Sequence, residues 1–174
     1  MLFLLLACNS KNSNPEKDIL ITQIDYFDKT TSLMDTSINN ELSSLKNLAY
    51  KNPNKYKIYY DRATKIAFAS DSIIQVLDEL SMNENNLPKC IQDYLDYCSY
   101  LGCVSDTDFP SINNLNVFIN SGIISKYLNN RSNKTLLVKQ LTSMMKEVQF
   151  DILRYLIFYP RRLEGSYNTC IPIV

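Results

Sequence analysis

The sequence predicts an all-α fold, an antiparallel helical bundle built on a long αα-hairpin plus a third long helix. Three observations predict it. Only three glycines occur in 174 residues (Gly102, Gly122, Gly165), too few for the turns of a β-rich fold. A stripe of mostly apolar residues runs Leu20, Ile24, Phe27, Thr31, Met34, Ile38, Leu42, Leu45, Ala49, which is 29 residues in eight steps. That is about 3.6 residues per step, the period of a straight α-helix. Asn52-Pro53 then separates this stripe from a second one of the same kind.

The first helix carries a solvated face of Asp25, Asp28, Lys29, Asp35, Asn39, Asn40, Glu41 and Lys46 between its stripe residues. It ends at Asn52, because the residue before proline is pushed out of the α region and Pro53 suits the first turn of a new helix. In the second helix Tyr56, Tyr59, Ala63, Ile66, Ser70, Ile73, Leu77 and Leu80 keep a strict three-four alternation. Its middle is small (Ala63, Ala67, Ala69, Ser70), so a neighbouring backbone can approach closely there. The short turn between the two forces them antiparallel.

A hairpin cannot bury both stripes alone, and the second half of the chain supplies the cover. Leu87-Pro88 opens a shorter helix with Ile91, Tyr94, Leu95, Cys98 and Leu101 on one side, closed by Gly102 as a C-cap. Residues 105–110 read as a loop. Leu115–Ile119 fits a short helix or a strand, and 122–130 gives a helical turn or two. After Asn133, Leu136, Leu137, Leu141, Met144, Met145, Val148, Ile152, Tyr155, Leu156 and Phe158 form the third long helix, ended by Pro160. The tail 161–174 is irregular, and no repeat of solenoid length is present.

The N-terminus reads as an address. Met1–Ala7 is an unbroken apolar run, too short to span a bilayer and better suited to the end of a secretory signal. Leu5-Leu6-Ala7-Cys8 resembles the lipobox of bacterial lipoproteins. That resemblance implies that Cys8 carries a diacylglyceryl thioether and becomes the N-terminus, with acyl chains such as palmitate holding the chain on a membrane. The expected organisation is a signal remnant and lipobox over 1–8, a polar flexible tether over 9–17 and one helical domain over 18–174. The expected location is the bacterial cell envelope, facing the periplasm or the cell surface.

Four further cysteines, Cys90, Cys98, Cys103 and Cys170, suggest two disulfides outside the cytoplasm. Cys90 and Cys98 lie eight residues apart on one helix, about 12 Å, which is beyond disulfide reach. That leaves 98–103 with 90–170, or 90–103 with 98–170. The alternative is four free thiols, with Cys98 an ordinary core residue on an apolar face. The spacing contains no CxxC pair and makes a poor zinc site.

Chemistry is scarce elsewhere. The chain has no His, which removes Ser-His-Asp and Cys-His catalysis and nearly all zinc and non-haem iron sites. Ser43-x-x-Lys46 and Ser143-x-x-Lys146 match a loose SxxK pattern, but without the KTG or SDN partners that such serine enzymes use. Asp93, Asp96, Glu84, Asp106 and Asp108 lack the order of a calcium loop. No cofactor, metal or catalytic residue is therefore expected. Lys plus Arg and Asp plus Glu each total 18, so nucleic-acid binding loses its electrostatic footing.

The charge is nonetheless uneven. Residues 51–70 hold Lys51, Lys55, Lys57, Arg62 and Lys65 against Asp61, a net of +4. Residues 71–108 hold eight acids against Lys89, a net of −7, and residues 124–174 hold eight bases against three acids, a net of +5. Either these faces pair within the bundle, or they form a polarised surface that steers a partner.

Asn52-Pro53-Asn54-Lys55, Tyr59-Tyr60-x-x-Ala63, Ser70-Asp71-x-Ile73-Ile74 and Leu77-x-x-Leu80 together resemble the N-terminal periplasmic helical domain of the GldM family. Asp106-x-Asp108-x-Pro110, Gly122 and the helix from Leu136 extend the likeness over about residues 20–156. That family serves gliding motility and type IX secretion. That family begins with a transmembrane helix and continues into β-rich domains, whereas this chain is expected to carry a lipobox followed by the helical bundle. The resemblance implies a periplasmic helical module that dimerises or binds a protein partner. The expectation is thus a non-enzymatic, lipid-anchored envelope protein with a protein partner or a homodimer. Its rival is a ligand-sensing or ligand-binding bundle with a pocket between helices.

Overall fold

The computed structural model of the chain describes residues 15–78, 86–102, 109–128 and 131–158. Among these residues lie six helices and no strand: α1 (Pro15–Lys51), α2 (Pro53–Asp78), α3 (Leu87–Gly102), α4 (Pro110–Asn120), α5 (Ile123–Leu128) and α6 (Arg131–Phe158). The protein is an all-α helical bundle. None of the described helices is long and apolar enough to cross a membrane.

α1 begins at Pro15, so helix replaces the last three residues of the tether expected over 9–17. Proline fits a first helical turn, whose amides lack helical partners anyway, and Glu16 and Asp18 place negative charge at that end of the dipole. Cys8 and the rest of the expected address lie outside the described residues. At the other end Asn52 serves both helices. Its N–H donates to Leu48 O at 2.9 Å, and its carbonyl accepts from Tyr56 N at 3.0 Å. One residue thus ends α1 and starts α2, with Pro53 in the first turn.

Ion pairs fix the directions of the long helices. Lys146 Nζ of α6 lies 2.9 Å from Asp35 Oδ1 of α1 and 2.8 Å from Asp71 Oδ1 of α2. Asp35 is 17 residues before Asn52 and Asp71 is 19 after it, each about 25–30 Å from the turn. One ammonium can meet both only if α1 and α2 run back along each other. Lys139 Nζ meets Asp28 Oδ1 at 2.9 Å, one heptad before the Lys146–Asp35 pair on both helices, so α6 runs parallel to α1.

α6 touches each of the other five helices. It is the centre of the bundle, with Leu137, Leu141, Met145, Val148, Ile152, Leu153 and Leu156 all but inaccessible. α2 contributes Tyr59, Ala63 and Ile66 to the same core, and α3 contributes Ile91, Leu95 and Cys98. The segment that fits either a helix or a strand is helix α4. Phe109 before it is extended (φ −131°, ψ 126°), as a residue preceding proline should be, and Ile112, Leu115 and Ile119 are buried at three-four spacing.

Three details depart from the sequence expectation. The first half of the α1 stripe (Leu20, Ile24, Phe27, Met34) is only half-buried. α1 has 37 residues and the described part of α2 has 26, so Leu20 and Ile24 lie beyond the stretch of α1 that the described part of α2 can flank. Phe158, expected on the α6 stripe, is exposed, because it sits on the last turn. Gly102 is the last residue of α3 rather than a left-handed cap. Among the described residues the glycine with positive φ is Gly122 (φ 70°), in the turn that joins α4 to α5.

Candidate functional site

At mid-height three helices meet in a buried polar layer. Ser70 Oγ of α2 and the Tyr94 hydroxyl of α3 share a hydrogen bond of 2.7 Å, and the Tyr94 O–H donates to the Met145 carbonyl of α6 at 3.4 Å. The Cys98 thiol, one turn along α3, is in hydrogen-bond contact with Tyr94. Burial pushes that thiol up to about 12, with the Tyr94 hydrogen bond working weakly against it. Burial, then the neighbouring Cys98, holds the Tyr94 phenol well above its ordinary range. Both groups therefore stay neutral, and a thiol held neutral is a poor nucleophile.

The cysteine expectation is corrected here. Cys90 and Cys98 are free thiols, and both expected pairings, 98–103 with 90–170 and 90–103 with 98–170, need those two residues. The reason is the face that each occupies. Cys98 points into the core at the Tyr94 layer and is inaccessible, while Cys90 lies half-exposed on the outer side of α3. Cys103 and Cys170 lie outside the described residues. The expectation of an address outside the cytoplasm then loses the support of the cysteine count.

Lys146, the lysine of the second SxxK pattern, is an ion-pair centre. Burial alone would lower its pKa, but hydrogen bonds and charge from Asp71 and Asp35 more than reverse this and raise it. An amine held protonated by two carboxylates cannot take a proton from the buried Ser143 hydroxyl. Ser43 and Lys46 stand exposed on α1. Among the described residues no three His, Cys, Asp or Glu side chains gather in a way that could hold a metal ion. Glu84, Asp106 and Asp108 lie outside them. The basic stretch of α6 pairs with acids of α1 and α2 through Lys139 and Lys146, so part of the charge asymmetry is spent within the bundle.

An outward-facing apolar trough of about 680 Å³ lies between α2 and α3. α2 lines it with Phe68, Ala69, Ile73 and Val76 and α3 with Cys90, Tyr94 and Tyr97, while Lys65 and Asp93 stand at its edges. Ala69 and Ser72 are short, which makes the surface concave. Phe68 is 76% exposed and Tyr97 41%. Phe68 and Val76 on α2 and Cys90 and Tyr97 on α3 flank the core stripes to which Ile73 and Tyr94 belong, so the apolar face of each helix is wider than its core stripe. The signal was present in Phe68 and Val76, which are too hydrophobic for a solvated face.

No family model matches the chain, and neither a curated protein nor a solved structure is found similar to it.

Proposed function

We propose that this chain is a non-enzymatic, membrane-anchored lipoprotein of the bacterial envelope whose helical bundle binds a protein partner in the α2–α3 trough. The GldM resemblance sets the expected context, a secretion or gliding-motility assembly. The observation that carries the reading is the trough itself, an open apolar surface with Phe68 76% exposed at its lip. Such a surface costs free energy in water until something covers it. Its α2 wall runs from Lys65 to Val76, about 16 Å or three turns. That length suits an amphipathic helix that presents residues at i, i+4 and i+7. Lys65 and Asp93 offer one charge of each sign to set its direction. The ion-paired Lys146 and the neutral Cys98 support a binding role over a chemical one. Met1–Cys8 supports the anchor.

A second reading has its own observation. The trough volume falls in the range of small-molecule sites, roughly 300–1,000 Å³, so an apolar ligand would also fit.

The test compares the full-length protein with Phe68→Glu, both recovered from host membranes. Phe68 is exposed, so the substitution should leave stability within about 0.5 kcal/mol. A single stoichiometric protein partner retained by the parent and lost from the variant is the expected result. Recovery of a bound small molecule in its place would favour the second reading. Identical recovery from both proteins would remove the trough from either role.

A further inference from the structure

Another pocket, of about 600 Å³, lies where α4 begins beside the last turns of α6, and it shares no lining residue with the trough. Phe109, Tyr155 and Phe158 give it aromatic walls, and Asp151 and Arg154 give it one charge of each sign. Phe109 and Tyr155 meet edge to face, with ring centroids 5.6 Å apart.

Asp151 and Arg154 are three residues apart on α6, a spacing that permits an ion pair. They do not form one. The Arg154 guanidinium lies instead over the rings of Phe150 and Phe158, its Cζ 5.5 and 5.6 Å from their centroids. Among the described residues it meets no carboxylate. Asp151 is held from another side. The buried Ser111 Oγ donates to Asp151 Oδ2 at 2.7 Å, which leaves Oδ1 for a further donor. Burial, and then the Asp151 charge, raise the Glu147 carboxyl one turn back on α6. The charge on Asp151 is therefore felt by its neighbour rather than cancelled.

We propose that this pocket binds a free α-amino acid with a large apolar side chain. Its α-ammonium goes to Asp151, its α-carboxylate to Arg154, and its side chain packs against Phe109, Tyr155 and Phe158.

The two unpaired charges set the class of ligand. A simple cation here would face Arg154 and a simple anion would face Asp151, whereas a zwitterion satisfies both. Residues three apart on a helix have Cβ atoms about 5–6 Å from each other. Charge-assisted hydrogen bonds of about 2.7–2.9 Å at each end span such a gap when ammonium and carboxylate sit on one carbon. A peptide terminus offers only one of the two groups, so the ligand is a single residue. An ammonium at Asp151 also relieves its repulsion with Glu147. The Phe150 and Phe158 rings hold the Arg154 fork before a ligand arrives, which lowers the entropy lost on binding. The volume lies within the range of small-molecule sites, roughly 300–1,000 Å³.

Isothermal titration calorimetry of the full-length protein tests this. Phenylalanine, leucine and glycine are compared with phenethylamine, which lacks the carboxylate, and hydrocinnamate, which lacks the ammonium. Phenylalanine or leucine should bind saturably, at least tenfold tighter than glycine or either analogue with one charge. Arg154→Gln and Asp151→Asn should each weaken that binding at least tenfold. The asparagine can still accept from Ser111, and both positions reach the surface, so the helical circular dichroism should stay unchanged. The ligand series on the parent protein decides the matter by itself where a variant fails to fold. Three results would overturn the assignment: no saturable binding of either large amino acid, an analogue with one charge bound as tightly as phenylalanine, or undiminished binding by either folded variant.

Discussion

Lys146 Nζ and Asp71 Oδ1 lie 2.8 Å apart across 75 residues of sequence, and the same ammonium reaches Asp35 at 2.9 Å. One side chain thus links α6 to both arms of the hairpin. Lys146 is 9% exposed, but its partners keep 46% (Asp35) and 67% (Asp71) of their surface in water. The pairing sits at the rim of the core, where solvent screens much of the Coulomb energy.

Lys146→Met keeps most of the stem and removes the ammonium. It should lower stability by only about 1 kcal/mol, because both carboxylates can turn to water. Lys146→Ala also empties the channel that the stem fills, and should cost about 2 kcal/mol. Urea unfolding midpoints at constant slope measure both. A Met variant as stable as the parent would show that the ammonium does not hold the three helices together.

Stability should fall on the alkaline side. Cys98 is raised to about 12, and Tyr94 and Lys146 are raised above their ordinary values of 10.0 and 10.5. In each case the folded state keeps its proton after the unfolded chain has lost it. Their contributions are complete below about pH 8 and drain away as pH rises, Cys98 first, at up to about 1.4 kcal/mol per pH unit for each proton. Cys98→Ala should start from lower stability and then fall less steeply between pH 9 and 10. A parent protein equally stable at pH 8 and 10.5 would contradict the buried, neutral layer around Tyr94.

The long helices were legible because their signals are local: the 3.6 period, Asn52-Pro53 and Leu87-Pro88 mark boundaries through backbone sterics alone. α4 was ambiguous, since a run as short as Leu115–Ile119 satisfies either period, and only packing against α6 decides. The role of Lys146 was illegible, because its partners are 75 and 111 residues away and nothing in an SxxK spacing encodes them. Cysteine counting misled for a related reason. It records how many thiols there are and not which face holds each, and Cys98 faces the core.

The two described thiols should react very differently. Cys90 is half-exposed on the trough wall, and maleimide should label it in the folded protein. Cys98 is inaccessible and held neutral, so it should react only after unfolding. Mass spectrometry of the labelled peptides, with no reductant added, reads both at once. Blocked Cys90 and Cys98 in unfolded, unreduced protein would mean disulfides, and would restore the pairing expectation.

Gln149 and Leu153 lie one turn apart on α6, both buried, and should respond in opposite directions. Leu153 is completely inaccessible, so Leu153→Ala leaves a cavity at the bundle centre and should cost about 2–5 kcal/mol. Gln149 is 1% exposed, and its Oε1 has no hydrogen-bond partner. A buried carbonyl oxygen without a partner keeps its desolvation penalty, so Gln149→Met, which is close in volume, should be neutral or stabilising by about 1 kcal/mol. Thermal and urea unfolding of the two variants beside the parent would decide. A Gln149→Met variant weakened by as much as Leu153→Ala would mean that the carboxamide carries a contact that holds α6 in place.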